Sequence, residues 1–162
     1  MAAQPNLRDV RFDLEVTIER PVAAVFAYVA DVRNLPEWQE SAVSAEWIEE
    51  GSRFRERRSF LGRNADIELE VTAAEQDRRF DVRAVSGPVR FEIRHSFEAV
   101  GDATLLRVTA EAAIGGALRF AASMAKKQAE RQFRSDLQRL KQRLEGRDEE
   151  SPSDRPPRLA AE

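Results

Sequence analysis

The chain has 162 residues, a formal net charge of −3 and no cysteine, with 42% hydrophobic and 34% charged residues. That length and balance describe one globular domain with a core of its own, and the absent thiols exclude disulfide frameworks, thiolate metal sites and cysteine nucleophiles. A single histidine also excludes a multi-histidine metal centre, and the slight negative charge gives no general attraction to nucleic acid or anionic membranes. The N-terminal "MAAQPNLRDV" lacks the apolar run of a signal peptide or membrane span, so a cytoplasmic protein without an integral membrane segment is expected. An arginine-biased, alanine-rich composition hints at a bacterial source.

Phe12, Leu14, Val16 and Ile18 alternate with Asp13, Glu15, Thr17 and Glu19, the pattern of a half-buried strand. Pro21 stands where a helix can start, and "VAAVFAYVAD" carries helical apolar spacing through Val22, Val25, Phe26 and Val29. "NLPEWQ" reads as a short helical turn broken by proline. The period then returns to two. Val43, Ala45 and Trp47 form one inward set, and Gly51-Ser52 turns the chain into a strand where Phe54, Glu56, Arg58 and Phe60 share a face. Ile67, Leu69 and Val71 follow, then Phe80, Val82 and Ala84. Next comes "FEIRHSFEAV", where Phe91, Ile93, His95 and Phe97 share a face, and last a strand with Leu106, Val108, Ala110 and Ala112. Successive strands with short turns predict an antiparallel meander with one dry face. From Ala117 to about Leu144 the spacing is helical again, through Ala122, Ala125, Ala129, Phe133, Leu137, Leu140 and Leu144, ending before Gly146. "RDEESPSDRPPRLAAE", residues 147–162, is charged and proline-rich and is expected to be a disordered tail. The fold class is therefore α+β: about seven strands, two short helices after the first, and a long C-terminal helix covering the sheet.

The order and spacing of "VTIERPVAAVFAYVADVRNLPEW", "GSRFRERRSF", "HSFEAVGDATLLRV" and "DLQRLKQRLEG" resemble the SRPBCC or START-like superfamily with its Bet v 1-like helix-grip fold. Polyketide cyclase/dehydrase-like proteins are the nearest match within it, and the resemblance covers residues 8–146. It implies a curved antiparallel sheet gripping the C-terminal helix, with a cavity for an apolar small molecule between them. Alanines in the first half of that helix, after Gly115 and Gly116, suit such a cavity, although alanine is also simply the best helix former.

Several residues can meet a ligand there. His95 is placed on the apolar face by alternation, where it can contact a ligand, sit satisfied in the core, or act as an acid or base. Glu56 and Arg58, facing inward beside Phe54 and Phe60, can neutralise one another, since buried unpaired charge is costly. A bulge at Glu56-Arg57 would instead turn both into water. Trp38 packs the core or lines the cavity mouth. Phe80, Phe91, Ile93 and Ala125 complete the expected lining, and Tyr28 is an outer candidate. Phe120 and Met124 lie off the main helical stripe, as a gate or a homodimer contact. The basic run Lys126, Lys127, Arg131, Arg134, Arg139, Lys141 and Arg143 comes without the aromatics or motif that nucleic-acid binding wants, so it reads as a solvated helix face. No phosphate loop, catalytic triad motif or metal-ligand spacing is present, and no cofactor is implied. The sequence thus predicts a carrier of a polyketide-, lipid- or isoprenoid-type molecule. The alternatives are a cyclase or dehydratase using His95, and an interaction module acting through the C-terminal helix.

Overall fold

The computed structural model describes residues 10–60, 62–87, 89–113 and 122–149. The elements in chain order are β1 (Val10–Ile18), α1 (Val22–Ala30), a 3-10 turn (Val32–Asn34) and α2 (Leu35–Trp38). β2 (Ala42–Glu49), β3 (Arg53–Phe60), β4 (Arg63–Glu75), β5 (Arg79–Ala84), β6 (Arg90–Val100) and β7 (Ala103–Ala113) follow, and α3 (Ala122–Glu149) closes the chain. Among the described residues the strands form one antiparallel sheet in the order β1-β7-β6-β5-β4-β3-β2. β2 to β7 form a meander, and β1 returns to lie beside β7. This is the helix-grip α+β arrangement.

Alternation sets the faces. Every even residue of β1 from Val10 to Ile18 is buried and every odd one exposed. Phe80, Val82 and Ala84 of β5, Ile93 and Phe97 of β6, and Leu106, Val108 and Ala110 of β7 continue that inner face. α1 turns Val25, Phe26, Tyr28 and Val29 inward; Phe26 meets Phe97 edge to face at 5.2 Å between ring centres. Asp31 starts the 3-10 turn by accepting from the Arg33 backbone N–H at 3.1 Å, which satisfies one of the orphan donors at a helix start. Gly51 turns β2 into β3 at φ 78°, a left-handed conformation natural to glycine.

α3 is fastened most firmly by its second half. Leu137, Leu140 and Leu144 are buried, and Phe133 stacks edge to face on Phe12 of β1 at 5.2 Å. Lys141 Nζ donates to the Thr17 carbonyl at 2.6 Å, and Arg143 Nε to the Glu37 carbonyl at 2.9 Å. Before Phe133 the stripe loosens: Ala122 and Ala129 are half-buried, and residues 123–128 are exposed.

Two details correct the sequence reading. Val43 is 50% exposed, whereas Ala42, Ala45 and Trp47 face inward. The pairing of β2 slips between Ala42↔Arg58 and Ser44↔Arg57, so Val43 is the extra residue of a bulge, which reverses the phase. α3 also continues through Gly146 to Glu149. One helical glycine costs only about 1 kcal/mol, and the preceding turn holds Leu144 in the core and Lys141 on Glu145 at 2.8 Å. Phe120, Gly115-Gly116 and the tail beyond Glu149 lie outside the described residues, as does the Phe60 side chain.

Candidate functional site

The unusual chemistry of the inner face begins on β3. β3 pairs with β4 in unbroken register from Arg53↔Glu70 to Phe60↔Arg63, so no bulge disturbs its phase. Phe54, Glu56 and Arg58 therefore all point inward, and Glu56 is only 1% exposed. Its charge is met by a guanidinium fork: Arg58 Nε donates to Oε1 at 2.7 Å and Nη2 to Oε2 at 3.1 Å. Two parallel bonds of this kind are the strong form of a charge-assisted contact. Arg58 also donates to Ser41 Oγ at 2.7 Å and to Gln39 Oε1.

The adjoining residues extend this into a polar seam between sheet and helix. Asp136 of α3 is buried and accepts from the Glu40 backbone N–H at 3.2 Å and from Gln132 Nε2 at 3.0 Å. Burial pushes its carboxyl above the ordinary aspartate range, against the pull of these donors and of the Arg139 and Arg58 charges. The sequence reading missed Gln39, Ser41 and Asp136. Asp136 had a signal: it lies three residues after Phe133 and four before Leu140, on the apolar stripe itself.

His95 occupies the far side of the inner face. β6 lies three strands from β3, about 14 Å at ~4.8 Å per strand. Glu56 is held by Arg58, and no carboxylate–histidine pair joins the two. The His95 Nδ1 lies 2.8 Å from the Phe80 carbonyl oxygen. A carbonyl only accepts, so Nδ1 carries the proton and Nε2 the lone pair of the neutral ring. Burial pushes the imidazole below the usual histidine range, opposed by that hydrogen bond and by the charge of Asp81. The neutral form therefore dominates at neutral pH. Phe80, the cross-strand partner of His95, holds its ring 6.1 Å away at a tilt.

The remaining expected residues divide. Phe54, Phe80 and Ile93 are buried on the same face, and Phe54 meets Trp47 edge to face at 5.7 Å. Phe91 is half-buried there, opposite Ala112 of β7. Trp38 is 3% exposed, and its indole N–H has no hydrogen-bond partner among the described residues. Tyr28 is buried with its hydroxyl donating to Glu37 Oε2 at 2.6 Å. Ala125 does not join them: it is exposed on the shoulder of the α3 stripe. Met124, 76% exposed, borders an open groove with Lys127, Gln128 and Arg131. Among the described residues no group of three or more His, Asp or Glu side chains could hold a metal ion, and no helix is long and apolar enough to cross a membrane.

Residues 9–145 match the model of the family described as polyketide cyclase/dehydrase and lipid transport. Similar solved structures include a START superfamily protein from Mycobacterium smegmatis, at TM-score 0.72 and 19% identity, covering 84% of this chain and 97% of that one. The Zhui aromatase/cyclase from Streptomyces sp. R1128 aligns at TM-score 0.74 and 17% identity, over 89% of this chain and 97% of that one. TTHA0849 from Thermus thermophilus gives 0.74 and 19%, over 85% and 98%. These likenesses establish the fold. No curated protein matches the chain.

Proposed function

Because the chain belongs to the polyketide cyclase/dehydrase and lipid transport family, we propose that it holds a hydrophobic small molecule of polyketide, lipid or isoprenoid type between the inner sheet face and α3. The observation that carries this reading is incomplete coverage. Phe91 and Ala112 on the sheet, and Ala122, Ala129 and Phe133 on the helix, are among the apolar side chains that stay only partly buried against the core. An apolar guest covering such side chains gains roughly 25 cal/mol for each Å² removed from water. Polar discrimination then falls to His95, whose Nε2 lone pair can accept from a ligand hydroxyl. The Glu56–Arg58 fork, neutralised within the protein, can keep the far end of the site polar without demanding a charged ligand.

Native mass spectrometry of the purified chain, followed by displacement of an apolar fluorescent reporter, tests this. A saturable apolar site that Phe91→Asp weakens is the expected result; no saturable site in the wild-type protein would end the carrier reading. A second reading has its own observation. With Nδ1 fixed on the Phe80 carbonyl, His95 presents the proton-accepting nitrogen of a general base, as a cyclase or dehydratase needs. Turnover of a poly-keto substrate that His95→Gln abolishes while leaving binding intact would favour this enzyme over the carrier.

A further inference from the structure

The opposite, outer face of the sheet carries a second concentration of charge. Arg11 of β1, Arg79 of β5, Arg94 of β6 and Arg107 of β7 line a recess of ≈ 370 Å³ with Asp81. His95 and the hydroxyl-bearing residues Ser96 and Thr109 also border it. Alternation explains the gathering. Arg79↔Ser96, Asp81↔Arg94, Arg94↔Thr109 and Ser96↔Arg107 are cross-strand partners, so their side chains rise from neighbouring positions on one face.

Asp81 is the anomaly. It is 1% exposed although it belongs to the outer face. Arg79 engages only one of its oxygens, with Nε at 2.6 Å and Nη2 at 2.5 Å from Oδ2. Oδ1 is buried and has no hydrogen-bond partner among the described residues. A buried acceptor left unpaired costs about 1–3 kcal/mol, more when charged, and a carboxylate oxygen is relieved only by a donor. The arginines have the opposite surplus. Arg11 Nη1 and Arg94 Nη2 share Glu111 Oε1, at 2.8 and 3.0 Å. Arg107 leans on Glu98 at 3.1 Å and Glu15 at 3.5 Å. Each guanidinium has five N–H groups, and these pairs engage only one or two of its nitrogens.

We propose that this outer recess binds hydrogen phosphate, with guanidinium N–H groups on its oxygens and its P–OH donating to Asp81 Oδ1. The orphan carboxylate selects the ligand. Sulfate offers the arginines the same tetrahedral oxygens but at neutral pH has no proton to give, so it would set an acceptor oxygen against Oδ1 and leave it unpaired. Inorganic phosphate keeps a P–OH in both of its neutral-pH forms. A phosphomonoester, with its second pKa near 6, is largely stripped of that proton and binds more weakly, which separates the free ion from an esterified source. His95 borders this recess as well as the proposed ligand site, but the phosphate contacts proposed here do not use it.

Titration calorimetry on the full chain with sodium phosphate, sulfate and glycerol phosphate at pH 7 tests the proposal. Saturable phosphate binding that an equal concentration of sulfate fails to displace is expected, with the ester at least several-fold weaker. Asp81→Asn, whose amide can donate as well as accept, should lower phosphate affinity by roughly tenfold and let sulfate bind comparably. Arg107→Gln, at a half-exposed position, should weaken phosphate to a similar degree with an unchanged circular dichroism spectrum. The wild-type competition and Arg107→Gln remain decisive if Asp81→Asn fails to fold. Absence of saturable phosphate binding, or sulfate competing as well as phosphate in the wild type, overturns the proposal. An ester binding more tightly than the free ion would overturn the assignment to hydrogen phosphate.

Discussion

Glu56–Arg58 on β3 and Arg79–Asp81 on β5 are the same device built twice, an acid and an arginine two residues apart on one strand. Both carboxylates are 1% exposed, but Arg58 is 16% exposed and Arg79 47%. The inner pair spreads its guanidinium over both carboxylate oxygens and then over Gln39 and Ser41. The outer pair places two nitrogens on one oxygen and leaves the other orphaned. Spacing and burial therefore do not fix what such a pair does; the donors around it do. The inner fork is closed and belongs to the architecture, whereas the outer one has a valence to fill.

The contrast can be broken most forcefully at Arg58. Arg58→Met leaves Glu56 as an uncompensated buried charge, and denaturant unfolding should report a loss of about 3–5 kcal/mol. The double change Glu56→Leu with Arg58→Met should recover most of it, because replacing a whole buried pair with apolar residues is close to neutral. Asp81→Asn should shift the same unfolding curve by no more than about 1 kcal/mol, since its partner is half in water and the amide oxygen still accepts from Arg79. If the two single changes cost the same, the distinction between a closed and an open pair fails.

Two smaller effects depend on pH. Asp136 has its carboxyl raised above 3.8 by burial, so the stability it contributes is full below that value and is lost as pH rises through the folded-state value. Asp136→Asn keeps the acceptor for Glu40 and Gln132. It should raise the thermal midpoint at pH 7, with the gain vanishing below pH 4. His95 is lowered below 6.5, so its contribution is full above that pH and declines as pH falls toward the folded-state value. Unfolding curves for His95→Gln between pH 7 and 5 should lack that decline; an unchanged slope would mean that His95 is hydrated rather than buried.

What could be read in the sequence depended on distance along the chain. The strands of the meander and the seam of α3 were legible because periods of two and 3.6 are local and each face reports its own burial. For Glu56 and Arg58 alternation favoured the inward phase but left a bulge open, and only the unbroken pairing of β3 with β4 decides between them. Val43 was misplaced because a bulge is a relation between two strands, and its partner residues, Arg57 and Arg58, lie more than a dozen positions away. Asp136 and Gln39 could not be joined to Arg58 in advance, since β3, the α2–β2 turn and α3 meet only in the folded molecule. Ala125 was assigned to the lining from helical spacing that is correct as a stripe but says nothing of how closely each turn approaches the sheet. The outer recess escaped notice because alternating arginine and glutamate on a solvent face looks like ordinary surface until cross-strand register stacks the residues.

The pairing of β1 with β7 has a consequence for how the molecule is made. Arg11 meets Glu111 across 100 residues of sequence, whereas β2 to β7 pair with neighbours one turn away. Loop closure over so long a separation is an entropic barrier that local hairpins do not face. On the ribosome the first strand must wait, its Val10–Ile18 apolar edge unpaired, until β7 has emerged. The N-terminal strand therefore joins the sheet only after β7 is made, and a chain stalled before Ala103 would carry an unpaired strand prone to finding a partner in another molecule.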